Sequence, residues 1–126
     1  MFGYVACILS SLALVPMSMV LAVQGSWLAL TYFAAAAVAC LYHWHRERKF
    51  VRLDHGLAWV CIACNLWLAV HTVHWSFPVF ATFCILLAVD RYYAAHGGDE
   101  LDYLHNHTLW HLWCGMGGIF LALGYQ

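Results

Sequence analysis

The sequence predicts an all-α integral membrane bundle of about five transmembrane helices, and three observations lead there. Of 126 residues, 65% are hydrophobic and only 9% are charged, against about 45–50% and about 25% in ordinary soluble domains. A chain this short has too high a surface-to-volume ratio to hide so much apolar surface from water. Every Lys, Arg, Asp and Glu falls in one of two windows, 46–54 and 90–102. Residues 1–45, 55–89 and 103–126 carry none, and a membrane-spanning helix needs roughly 17–25 mostly apolar residues. This composition excludes a soluble globule, a disordered linker and a nucleic-acid binder. A net charge of −1 calls for no polybasic or polyacidic partner.

Taken in order, the spans are expected near 2–23, 27–44, 54–73, 76–91 and 107–125, all within one domain covering 1–126. Gln24-Gly25-Ser26 is a polar turn with a glycine and separates the first two. The segment from His71 to Ser76 separates the third and fourth, and Pro78 suits the first turn of the helix that follows. The remaining breaks are the charged windows. Helices are the open option because an isolated sheet in lipid leaves edge groups unpaired. Barrel strands would alternate apolar and polar residues, which these runs do not. The first segment lacks a basic flank, so a cleaved signal peptide is not expected.

Five spans bring both charged windows to one side of the membrane. All five Lys and Arg residues then lie on that side, which the positive-inside rule makes cytoplasmic, with the amino terminus cytoplasmic and the carboxyl terminus outside. Six cysteines (Cys7, Cys40, Cys61, Cys64, Cys84 and Cys114) fall within the spans. Cys61-x-x-Cys64 has the spacing of a metal or redox pair, but it lies well inside a span, where small soft residues serve helix packing.

Nine histidines are many for such a chain, and an ionisable group at membrane depth is by default a functional candidate. His43, His45, His55, His96, His105, His107 and His111 belong to the charged side; His71 and His74 belong to the other. His107 and His111 are spaced i, i+4, so their rings share one helix face, while His105 points elsewhere. A third nitrogen from His43 completes a His₃ set with an open fourth position, the arrangement of catalytic zinc. Asp54, from the neighbouring span, is placed to accept a proton from water and return it to a leaving group. Each piece has a plainer reading. The histidine pair could be interfacial, Tyr42-His43-Trp44-His45 reads as an aromatic belt, and Asp54 reads as an N-cap.

Tyr42-His43, Asp54 and His107-Thr108-Leu109-Trp110-His111 together resemble the CREST superfamily of alkaline ceramidases, progestin and adipoQ receptors and Per1 proteins. The likeness is greatest to its myomaker-like branch, through Leu9-Ser10-Ser11-Leu12-Ala13-Leu14-Val15-Pro16 and Asp102-Tyr103. It covers residues about 5–72 and 99–125, most of the chain. The resemblance implies an intramembrane zinc hydrolase fold with His43, His107 and His111 as zinc ligands and Asp54 as acid/base. Lipid amides or esters are the implied substrates. Two departures stand out. Ala39 occupies the position of a family Ser four residues before the ligand His, and losing one oxyanion donor costs about 10²–10³ in rate. The family has seven spans; removing one antiparallel pair from the middle keeps the ligands on one face. A homo-oligomer or a more open cleft could fill the gap. Receptors of the adipoQ type put the amino terminus in the cytoplasm, whereas ceramidase-like and myomaker-like members put it outside; the orientation expected here follows the Lys/Arg count, which favours the first.

The leading expectation is therefore a membrane-embedded, zinc-dependent lipid amidase or esterase. The alternative is a non-catalytic, myomaker-like membrane protein with a structural zinc, serving membrane remodelling or lipid sensing. A third reading is a small haem protein with histidines from two helices as axial ligands.

Overall fold

The computed structural model describes residues 2–45 and 48–125, and among these the chain is helical. Its helices are α1 (Phe2–Ser11), α2 (Leu14–Val23), α3 (Leu28–His45), α4 (Arg48–Val70), α5 (Ser76–Gly97) and α6 (Glu100–Gly124). Three segments, Val5–Val23, Arg52–Val70 and Ser76–Gly97, are long and apolar enough to cross a membrane. The other two long helices, α3 and α6, hold 18 and 25 residues. They carry the histidines discussed below, whose polarity keeps them out of that set.

The expected 2–23 span is broken into α1 and α2 for a local reason. Pro16 has no N–H to offer the Leu12 carbonyl. Val15 N–H takes that carbonyl instead at 2.9 Å, and Leu12 and Ala13 likewise bond three residues back. The chain tightens for one turn and continues. At the end of α2 the backbone closes a Schellman cap: Ser26 N–H reaches the Leu21 carbonyl and Gly25 N–H the Ala22 carbonyl. The residue at the crest, Gly25, has φ +71°, a region that favours glycine.

Three boundaries differ from the sequence expectation. The expected 54–73 helix begins at Arg48, 76–91 continues to Gly97, and 107–125 begins at Glu100. The charged windows are thus helix ends. Lys and Arg are good helix formers, so α4 starts within the first window, although Arg46 and Glu47 lie outside the described residues. In the second window the helix stops only at Gly97-Gly98. Asp99 then caps α6, accepting from the N–H groups of Leu101 and Asp102 at 2.9 Å each, with Glu100 and Asp102 in the first turn beside the positive end of the dipole.

At the centre of the bundle α6 packs on α5, α1 and α2, while α3 packs on α1, α2 and α4. The core includes Met17, Leu21, Tyr32, Leu68 and Leu121. Buried hydroxyl groups are paired, Ser10 and Ser11 with the Cys7 carbonyl of their own helix and others across helices. Ser18 donates to the Ala29 carbonyl at 2.7 Å, and the Tyr32 hydroxyl donates to Asn65 Oδ1 at 2.6 Å. Gln24 Nε2 ties the α2–α3 turn to α6 through the Ala122 and Tyr125 carbonyls. By contrast α4 and α5 make at most slight contact. Large apolar side chains such as Trp59 and Leu66 on α4, and Phe83 and Leu86 on α5, remain exposed.

Close approach of α6 to the first span needs a residue without a side chain. A Cβ at Gly115 would lie 2.5 Å from the Ala13 carbonyl oxygen and 2.7 Å from Ala13 Cβ. Gly115→Val is expected to lower stability by about 1–3 kcal/mol, the usual cost of overpacking. The check is the unfolding midpoint in detergent beside Gly56→Ala, where a Cβ meets nothing within 4 Å and no loss is expected.

Candidate metal centre

Sequence places His43 near the end of α3, and His107 and His111 in the third and fourth turns of α6. Because α3 runs toward the charged end and α6 runs away from it, these turns meet. All three side chains are buried, at 4%, 5% and 5% exposure. Their Nε2 atoms form a nearly equilateral triangle: 3.2 Å from His43 to His111, 3.3 Å from His107 to His43, and 3.2 Å from His111 to His107. The rings stand edge-on to one another at 73°, 84° and 87°.

Hydrogen bonding alone cannot account for such a triangle. Each neutral imidazole Nε2 is either a donor or an acceptor. Around a ring of three, at least two neighbours must share the same role, so one edge is always repulsive. A cation removes the conflict by accepting all three lone pairs. The spacing fits that chemistry: bonds of about 2.0–2.1 Å at a tetrahedral angle separate neighbouring nitrogens by about 3.3 Å. The three histidines form a group that could hold a metal ion. Haem fits poorly, because axial ligands lie on opposite sides of a macrocycle whereas these three nitrogens converge on one point.

The rings are held chiefly by aromatic neighbours. Tyr103, one turn before His107, stacks on it at 4.9 Å and 21°. Trp110 leans on both His107 at 5.0 Å and His111 at 4.8 Å, and Tyr42 leans on His43 at 4.8 Å. The buried Nδ1 of His107 has no hydrogen-bond partner among the described residues, and the Tyr103 ring stacks on that imidazole.

Asp54 is not at a helix start, as an N-cap would be. It lies in the second turn of α4, half-buried. Two cavities border it. One, of about 340 Å³, is a groove between α4 and α5 floored by α6, with Asp54 and His111 among its lining residues. The other, of about 320 Å³, lies at the charged end and is lined by Asp54, His107 and aromatic side chains. Asp54 is the only carboxylate lining either cavity among the described residues. Ala39 is buried on α3 one turn before His43 and lines the groove as well.

The other histidines go as the sequence expected or take lesser places. His105 is exposed, and His71 at the opposite end stacks on Trp67 at 4.2 Å. His55 and His96 stand at the rim of the second cavity. All six cysteines are free, and Cys61 and Cys64 belong to the packed core. Sequence reasoning missed Trp110 and Tyr92. Trp110 was legible at i+3 from His107, but Tyr92 reaches the site only through the packing of α5 on α6. No protein-family model matches the chain, and no curated protein or solved structure resembles it closely enough to count as a match.

Proposed function

We propose that the chain is a multi-pass, membrane-embedded, zinc-dependent hydrolase of the CREST type, acting on a lipid amide or ester bond. The observation that carries this reading is the convergence of three buried imidazoles, two of which share cavities with the carboxylate of Asp54, one of those cavities an apolar groove. His43, His107 and His111 would hold the ion. When bound, zinc supplies a Lewis acid and makes hydroxide available near neutral pH. Asp54 takes up the proton of the attacking water and returns it to the leaving group. The groove runs beside α4 from Asp54 to Ala69, about 22 Å at helical rise. An acyl chain spans one leaflet, roughly half of the ~30 Å hydrocarbon core, so the groove admits a whole chain. Ala58, Ile62, Ala81 and Ile85 line it, and the slight contact of α4 with α5 lets a chain enter sideways from the bilayer. The site sits at the Lys/Arg-rich end, which the charge rule makes cytoplasmic.

A second reading is favoured by Ala39, which lines the groove from α3 without the hydroxyl that the family resemblance implies. On that reading zinc is a structural staple in a non-catalytic, myomaker-like protein of membrane remodelling or lipid sensing. Metal content tests both. Detergent-purified protein, prepared without chelators, is expected to hold about one zinc per chain by elemental analysis, and His107→Ala/His111→Ala is expected to hold none. Metal-free wild type would sink both readings together.

A further inference from the structure

The second cavity carries chemistry that the hydrolytic reading does not use. Four aromatic side chains line it, Tyr42 from α3, Tyr92 from α5, and Tyr103 and Trp110 from α6. All four are half-buried. Tyr92 meets Trp110 edge to face, with centroids 5.7 Å apart, so α5 and α6 together form one aromatic wall, and Tyr42 comes from a third helix. Asp54 supplies a carboxylate from a fourth. The cavity volume of about 320 Å³ is at the small end of ligand cavities and is enough for a headgroup.

Aromatic faces grouped around a space attract a cation through the ring quadrupole, and quaternary ammonium groups are the ligands for which such cages are best suited. A trimethylammonium group has no N–H and gains nothing from hydrogen-bond acceptors, so ring faces and one nearby negative charge are what can select it. The flanking charges divide by helix: the α5–α6 end carries Asp90, Asp99, Glu100 and Asp102 against Arg91, which is engaged by Asp90 and Asn106, whereas the start of α4 carries Arg48, Lys49 and Arg52. Inside the cavity, among the described residues, Asp54 is the one carboxylate, with His55, His96 and His107 completing the lining.

We infer that this cavity is a headgroup site for a trimethylammonium cation, so that the lipid bound here is a choline lipid with its chain in the α4–α5 groove. The inference deepens the proposed hydrolase reading and rests on it for the placement of the chain. Asp54, which borders both cavities, lies where headgroup and chain would join.

The test measures binding apart from turnover. Hexadecylphosphocholine, which has no acyl bond to hydrolyse, is titrated calorimetrically into the full chain in maltoside micelles. Amphiphiles with the same chain and a phosphoethanolamine or phosphoglycerol headgroup run beside it. The choline compound is expected to bind about tenfold more tightly than either. Tyr92 touches none of the three histidines among its ring contacts, which are Tyr93, His96 and Trp110. Tyr92→Leu is expected to abolish the preference and Tyr92→Phe, which keeps the ring, to retain it. Equal affinity for the three headgroups, or an unchanged preference in Tyr92→Leu, would overturn the assignment. Tetramethylammonium binding with no preference among the amphiphiles would also overturn it, assigning the cage to a free cation. Zinc measured on the same samples separates the two readings: selectivity without zinc keeps the headgroup site and refutes the hydrolase, and zinc without selectivity does the reverse.

Discussion

Asp54→Asn is expected to cut hydrolysis of a lipid amide or ester by about 10²–10⁴-fold, the usual contribution of a positioned general acid/base. Zinc is expected to remain at about one per chain. Asparagine keeps the shape of the side chain but cannot take up a proton, so the variant isolates proton transfer from packing. The metal should survive because the three Nε2 atoms already form a closed set at 3.2–3.3 Å and Asp54 is not in the group that could hold a metal ion. Asp54 borders the groove and the aromatic cavity but lies on α4, whereas the ligands lie on α3 and α6. Turnover at the wild-type rate in this variant would remove Asp54 from the mechanism. A variant that loses zinc and unfolds would instead favour the structural staple, where the carboxylate serves the fold.

The helical membrane class was legible because charge is confined to 46–54 and 90–102, and the two turns at Gly25 and before Ser76 lie where polar residues interrupt the apolar runs. The three histidines were legible for a geometric reason. His107 and His111 share a helix face by spacing alone, and the parity of the spans puts His43 at the same end. Helix ends were less legible. Lys49 and Arg52 signal a loop by charge and a helix by propensity, and propensity prevailed in α4, which puts Asp54 in its second turn rather than at its cap. The tightened turn before Pro16 follows from a missing N–H that the hydropathy pattern hides. Neither the gap between α4 and α5 nor the place of Tyr92 has a sequence signal, since both depend on how α6 seats against its neighbours, through Gly115 and Gly118 on the first span and Gly117 on α5. Close helix contact of this kind is decided by small residues that composition treats as neutral.

Ala39→Ser is expected to raise turnover of the same lipid substrate by up to about 10²-fold, with little change in KM. Ala39 is 2% exposed and one turn before His43 on α3. It lines the groove that also borders His111 and Asp54. A hydroxyl there is a donor held beside the reacting carbonyl, and one such donor is worth about 10²–10³ in rate when it acts on charge that develops only in the transition state. That selectivity for the transition state is why the change belongs in kcat. The added oxygen is small, so the fold should tolerate it, and its single proton must point to the substrate oxygen and not to the Ala35 carbonyl one turn back for the gain to appear. Ala39→Cys fills similar space with only a weak S–H donor and is expected to give little gain, which separates the hydroxyl from its volume. If Ala39→Ser binds zinc and gains nothing over an active wild type, another donor already fills the role, and the Tyr42 hydroxyl beside His43 is the first to remove. If both proteins hold zinc and neither hydrolyses amide or ester lipids, the three histidines bind a metal that the chain uses to hold its helices together. The groove is then a place where lipid is bound and not cut.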